Sequence, residues 1–138
     1  MMRIKTAGLL LALVAVVPLG GCFGSGDSSS DRDAVDQVLS DLQSASQEGD
    51  GSRICDEIFT PKLAALVSRS SKSGNCATEV KAKLFSPEAK IDVESVDVPD
   101  GSNATATVKE ANGNVSKVHL VKQGGEWRIR SVEAATAA

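Results

Sequence analysis

Residues 91–133 read IDVESVDVPDGSNATATVKEANGNVSKVHLVKQGGEWRIRSVE. Four segments in this stretch, Ile91–Val98, Ala104–Lys109, Val115–Lys122 and Glu126–Glu133, are rich in β-branched residues and largely alternate apolar with polar. That period of two is the mark of half-buried strands. Between them stand Asp100-Gly101, Asn112-Gly113 and Gly124-Gly125. Each pair supplies the positive φ angles that tight hairpins need. Three such turns joining four strands predict a sequential antiparallel meander. Alternation turns Trp127, Ile129, Ala106, Val108, Val118 and Leu120 toward one packed face. Arg128 and Arg130 then face a solvated side.

The chain before this sheet has the other period. Asp31–Glu48 carries Val35, Val38, Leu39, Leu42 and Ala45 at three- and four-residue steps, one stripe of an amphipathic helix. Ser30 with Asp33 resembles a capping box, and Asp31 and Asp33 suit the positive end of a helix dipole. Gly49-Asp50-Gly51 ends this helix. Ser52–Phe59 is a short second helix or turn, with Ile54, Ile58 and Phe59 apolar. Thr60-Pro61 starts a further helix, a capping residue followed by proline at the first helical position. Leu63, Leu66 and Val67 give it an apolar side. Ser68–Gly74 is polar and reads as a loop. Asn75–Phe85 is the last helical stretch, with Val80, Leu84 and Phe85 apolar, and Pro87 closes the helical half. Helices first and strands second predict an α+β domain, helices packed on a four-stranded antiparallel meander. The domain spans 31–133, and 134–138 is a frayed tail.

The first 22 residues, MMRIKTAGLLLALVAVVPLGGC, concern destination rather than fold. Arg3 and Lys5 precede an apolar run, Ala7–Val17, and small residues follow at Gly20 and Gly21. This is the layout of a secretory signal peptide, removed over 1–21. The run is about half of the ~20 residues that a spanning helix requires. Phe23–Ser30, rich in Gly and Ser, reads as a flexible tether, so that 22–30 joins anchor to domain. The formal net charge of the 138 residues is −3, and loss of Arg3 and Lys5 makes the remainder more acidic. An acidic chain without a basic run argues against nucleic acid as a partner.

Leu19-Gly20-Gly21-Cys22 resembles the lipobox of bacterial lipoproteins: an aliphatic residue, two small residues and a cysteine. The resemblance implies that Cys22 is acylated, becomes the new N-terminus and anchors the domain at the extracytoplasmic face of the cell membrane. Two or three acyl chains suffice for stable attachment. With Cys22 assigned to lipid, Cys55 and Cys76 remain, an even pair in an exported protein, and are expected to form one disulfide. Two cysteines and the distant His119 fall short of a four-ligand metal set, so neither metal nor cofactor is expected.

The order of elements over Asp33–Glu133 resembles the nuclear transport factor 2-like superfamily of cone-shaped domains. The features that carry this are the opening helix ending in Glu48-Gly49-Asp50, the short helices after it, and the final hairpin Gly124-Gly125-Glu126-Trp127-Arg128-Ile129. The resemblance implies a curved sheet wrapped around the long helix, with a pocket at the open end. Enzymes of that superfamily use a tyrosine with paired carboxylates, or an Asp–His pair. Here there is no tyrosine, and no catalytic residue is carried over.

His119, the only histidine, sits in a strand beside Val118 and Leu120 and is a candidate ligand contact or a half-exposed surface residue. Trp127 is a candidate pocket residue or a core aromatic. Asp92, Glu94, Asp97 and Asp100 crowd the first strand but lack the spacing of a calcium loop, and an acidic edge also discourages strand-to-strand aggregation. Asn103-Ala104-Thr105 and Asn114-Val115-Ser116 match a glycosylation sequon without meaning in a bacterial lipoprotein. The expectation is a non-enzymatic, lipid-anchored domain that binds a small apolar ligand or an envelope protein. A small isomerase or cyclase using His119 or a pocket carboxylate is the alternative enzymatic reading, and a dimerising module is a third.

Overall fold

A computed structural model describes residues 28–135. The leader 1–21, Cys22, the first part of the tether and residues 136–138 of the tail lie outside the described residues. The elements are α1 (Ser28–Glu48), α2 (Gly51–Arg53) running into a π-type turn (Ile54–Ile58), α3 (Pro61–Ser70), α4 (Cys76–Leu84), and strands β1 (Ile91–Asp97), β2 (Asn103–Glu110), β3 (Val115–Gln123) and β4 (Glu126–Ala134). The sheet order is β1-β2-β3-β4 with every neighbouring pair antiparallel, the meander that the turns predict. Gly113, Gly124 and Gly125 take the left-handed angles that these turns require.

Local chemistry explains the helix ends. The Thr60 side chain accepts from Leu63 N–H at 3.2 Å, with Pro61 in the first helical position. Asn75 accepts from Thr78 N–H and Asp50 from Arg53 N–H. Two boundaries depart from expectation. α1 begins at Ser28, so Ser28–Ser30 belong to the helix rather than to the tether, and Ser30 is no cap. α3 runs through Ser68 and Ser70, whose hydroxyls donate back to the carbonyls of Ala64 and Val67. Serines that read as loop residues here satisfy helical carbonyls themselves. Leu66, expected in the packed stripe of α3, is exposed, whereas Leu63 and Val67 pack on the core.

The core lies between α1 and the concave face of the sheet. Val35 and Leu39 of α1 meet Ala104, Ala106, Val108, Val118, Leu120, Trp127 and Ile129, all buried and all on the face that alternation assigns. Cys55 and Cys76 are disulfide-bonded, as expected, and pin the π-type turn to α4. Beside that staple α2 and α4 approach so closely that a Cβ on Gly51 would overlap the Ala77 carbonyl oxygen.

Two bulges curve the sheet. In β1 the register skips Glu94, and in β4 it skips Arg130. A bulge bends its strand and shifts the alternation by one residue. Consequently Ser131 pairs with His119 on the outer face, and Val132 pairs with Val118 on the concave face. Arg128 is less solvated than alternation suggests, because its guanidinium donates to the carbonyls of Asp56 and Phe59 and ties the π-type turn to β4.

Candidate functional site

The concave face is filled at one end and hollow at the other. The hollow is a cavity of about 410 Å³ between the C-terminal half of α1, residues 83–91 and the far ends of β2, β3 and β4. Its wall is mostly apolar: Leu39 and Leu42 from α1, Phe59, Leu84, Ile91, Val108, Val118 and Val132. A volume of this size falls in the range of small-molecule pockets, which are concave, apolar and carry few polar groups. Leu84 and Val132 are exposed at the mouth, and exposed Phe85 adjoins Leu84.

Three hydrogen bonds from α1 hold the segment that forms the rim. Gln43 Oε1 accepts from Ile91 N–H at 2.7 Å, and Gln47 Nε2 donates to the Ala89 carbonyl at 2.7 Å. The Ser46 carbonyl accepts from Ser86 N–H at 3.2 Å. Gln43 and Gln47 stand one turn apart on one helix face, so they grip one extended segment together. The segment is thereby fastened along α1 while its inner side stands off from the sheet.

Charges at the rim are matched locally. Lys83 pairs with Glu79 at 2.7 Å and Lys90 with Asp92 at 3.2 Å. Glu110 accepts from the Asn112 amide at 3.2 Å, and Glu88 stands at the rim as well. The buried polar residues of the lining are Ser46 and Ser116, 6% and 8% exposed.

At the filled end, the start of α1 meets the β1–β2 and β3–β4 turns. Asp31 is only 5% exposed. Its Oδ1 accepts from Lys122 Nζ at 2.9 Å and from Trp127 Nε1 at 3.2 Å, while Lys122 Nζ lies 5.8 Å from the Trp127 ring centroid. The Lys122 hydrogen bond, then the Trp127 hydrogen bond, hold the Asp31 carboxyl below the usual carboxylate range, against the opposing effect of burial. In the adjacent turn Asp100 accepts from the backbone N–H of Ser102, the Asn103 side-chain amide and Asn103 N–H, which lower its pKa in turn.

The candidate residues from the sequence are not gathered at one place. Trp127 is a core aromatic locked to Asp31, and its edge contributes to a shallower groove of about 440 Å³ between α1, the π-type turn and β4. The charges of that groove are also spent internally, Arg53 on Asp41 and Arg128 on Glu126. His119 lies on the outer face of the sheet, away from the cavity. Its Nδ1 is 3.2 Å from Thr105 Oγ1 and its Nε2 is 3.5 Å from Glu133 Oε2. Cys22 lies outside the described residues. Among the described residues no group of three His, Cys, Asp or Glu side chains is placed to hold a metal ion.

Sequence reasoning missed Asp31, Gln43, Gln47 and Ser116. Asp31 reads equally well as a helix-dipole residue, and nothing local reveals its partners some ninety residues away. Ser116 did leave a signal. It is a hydroxyl next to Val118 and Leu120 on one face of β3.

No family model matches this sequence, and no curated protein matches it. Solved structures do. An NTF2-like (nuclear transport factor 2-like) protein of unknown function from Silicibacter pomeroyi DSS-3 aligns with a TM-score of 0.57 at 18% identity, over 77% of this chain and 95% of that one. An NTF2-like protein of unknown function from Shewanella baltica OS155 aligns with a TM-score of 0.57 at 22% identity, over 81% of this chain and 98% of that one. The chain therefore has the nuclear transport factor 2-like α+β cone fold.

Proposed function

We propose that this chain is a lipid-anchored, extracytoplasmic binding domain that holds a small, mostly apolar ligand in the cone cavity, without catalysing a reaction on it. The observation that carries the reading is the cavity of about 410 Å³ walled by Leu39, Leu42, Phe59, Leu84, Val108, Val118 and Val132. Its rim lysines are paired to neighbouring carboxylates, and its interior offers hydroxyls rather than a charged pair. The anchoring part of the reading rests on the lipobox at Leu19–Cys22, and the Cys55–Cys76 disulfide suits an oxidising compartment.

The two parts fit together in space. The chain enters the fold at Ser28, at the filled end, and the cavity mouth lies near the other end of α1. A 21-residue helix is about 31 Å long, so the mouth stands well away from Ser28, the first described residue. For the isomerase- or cyclase-type alternative, His119 is on the opposite face of the sheet from the cavity, and the carboxylates of the lining, Glu88 and Glu110, stand at its rim.

Titration with naphthalene, followed by native mass spectrometry of the full chain, tests the binding reading. The parent is expected to take up one equivalent, and Val132→Trp, which places an indole at the mouth, to take up none. Equal uptake by both chains would place the ligand elsewhere, and no uptake by the parent would remove the reading. Cys22→Ala tests the anchor separately. It should release the protein from membranes or stop its processing, and unchanged membrane fractionation would contradict the anchor.

A further inference from the structure

Resting on that binding reading, we infer that the cavity selects an uncharged amphiphile: an apolar body bearing one hydroxyl or carbonyl oxygen, seated with that oxygen against Ser116 and Ser46. The starting point is the concave face of β3. Its residues on that face are Ser116, Val118, Leu120 and Lys122, of which Lys122 is bound to Asp31 at the filled end, and Ser116 faces Val108 on one side and Ala134 on the other. An apolar residue would continue the wall, yet a hydroxyl stands there. On α1, Ser46 holds the corresponding place beside Leu39 and Leu42 in the same lining. Both residues are more than nine-tenths buried. Beyond the helix ladder, the Ser46 backbone carbonyl accepts from Gly49 N–H and Ser86 N–H. Neither hydroxyl enters a bond with another described side chain.

Both serines line the hollow, and a ligand oxygen that meets a hydroxyl there gains a hydrogen bond that the apolar wall does not offer. Pockets that offer such a hydrogen bond favour ligands that carry the matching group over analogues that lack it. The charge pattern excludes the ionised version of such a ligand. Lys83 and Lys90 are held by Glu79 and Asp92, and Glu88 and Glu110 stand at the same rim, so an incoming carboxylate meets no free cation and two acids. An amphiphile with a neutral oxygen satisfies the serines without crossing that rim as an anion.

Three probes of one shape separate the possibilities: naphthalene, 2-naphthol and 2-naphthoate, each titrated against the full chain by native mass spectrometry near neutral pH. The expected order is naphthol tighter than naphthalene by about three- to tenfold, the worth of one hydrogen bond, with naphthoate weakest. Ser116→Ala should erase the advantage of naphthol and leave naphthalene unchanged. Ser116→Thr, which keeps a hydroxyl, should restore the advantage. If Ser116→Ala binds naphthol as the parent does, the hydroxyl serves only bound water and the inference is overturned. Tightest binding of naphthoate overturns it too. Failure of all three probes to bind the parent removes the cavity reading itself, whereas equal binding of naphthol and naphthalene leaves that reading standing and removes only the selection.

Discussion

The two ends of the cone are built from the same elements and solve opposite problems. At the Ser28 end, α1 and two hairpin turns converge on a carboxylate, an ammonium and an indole, and Leu120, Ile129 and Val35 fill the space behind them. At the Glu48 end, the rim segment hangs from Gln43 and Gln47 by its backbone, and a cavity remains beneath it. One end is held together by buried side chains. The other is held by main-chain hydrogen bonds around a hollow. Stability and binding are thereby assigned to different places, and changes at one end should leave the other largely intact.

The largest expected effect is at the filled end. Trp127→Ala removes a buried aromatic and the donor to Asp31, and should cost about 3–5 kcal/mol of unfolding free energy in a denaturant titration. Leu84→Ala at the mouth removes an exposed side chain and should change stability by about 0.5 kcal/mol or less. Comparable losses at both sites would erase the contrast.

The disulfide stands between these cases. Replacing Cys55 and Cys76 together by Ala should lower stability by about 3 kcal/mol, because the unfolded chain loses a closed loop. Since the bridge ties the π-type turn to α4 and spares the cavity wall, naphthalene uptake should persist wherever the variant remains folded.

Acid titration sharpens the contrast further. The Asp31 carboxyl titrates lower in the folded protein than the ordinary value of about 3.9 for an unfolded Asp. Its contribution to stability is thus complete above about pH 4 and is lost as pH falls through the lowered folded value. Asp31→Asn should lower the denaturation midpoint at neutral pH and narrow its gap to the parent below about pH 4. A gap that stays constant across that range would mean that Asp31 carries no linked proton. The smallest expected effect on stability is that of Val132→Trp, within about 0.5 kcal/mol, although it should close the cavity to naphthalene.

The sequence made the sheet legible because Asp100-Gly101, Asn112-Gly113 and Gly124-Gly125 each signal a turn between alternating runs. The cap at Thr60 was legible for the same local reason. The π-type turn and the bulge at Arg130 were not, since both depend on packing across elements. That bulge decides which face Val132 occupies, and uninterrupted alternation would have turned it outward. The cavity follows from such offsets, so it entered the reading only through the resemblance to cone-shaped domains. Ser116 was the exception, a polar residue beside Val118 and Leu120 whose meaning appears once the hollow beside it is known.

Hydrogen exchange of the full chain with and without naphthalene tests the division of the molecule most directly. Ligand in the hollow should slow exchange of the amides of residues 83–91 and of the adjoining ends of β2 and β3, and leave the amides around Asp31, Gly101 and Lys122–Trp127 unchanged. Protection centred on the Asp31–Lys122–Trp127 end, with none along 83–91, would contradict the account.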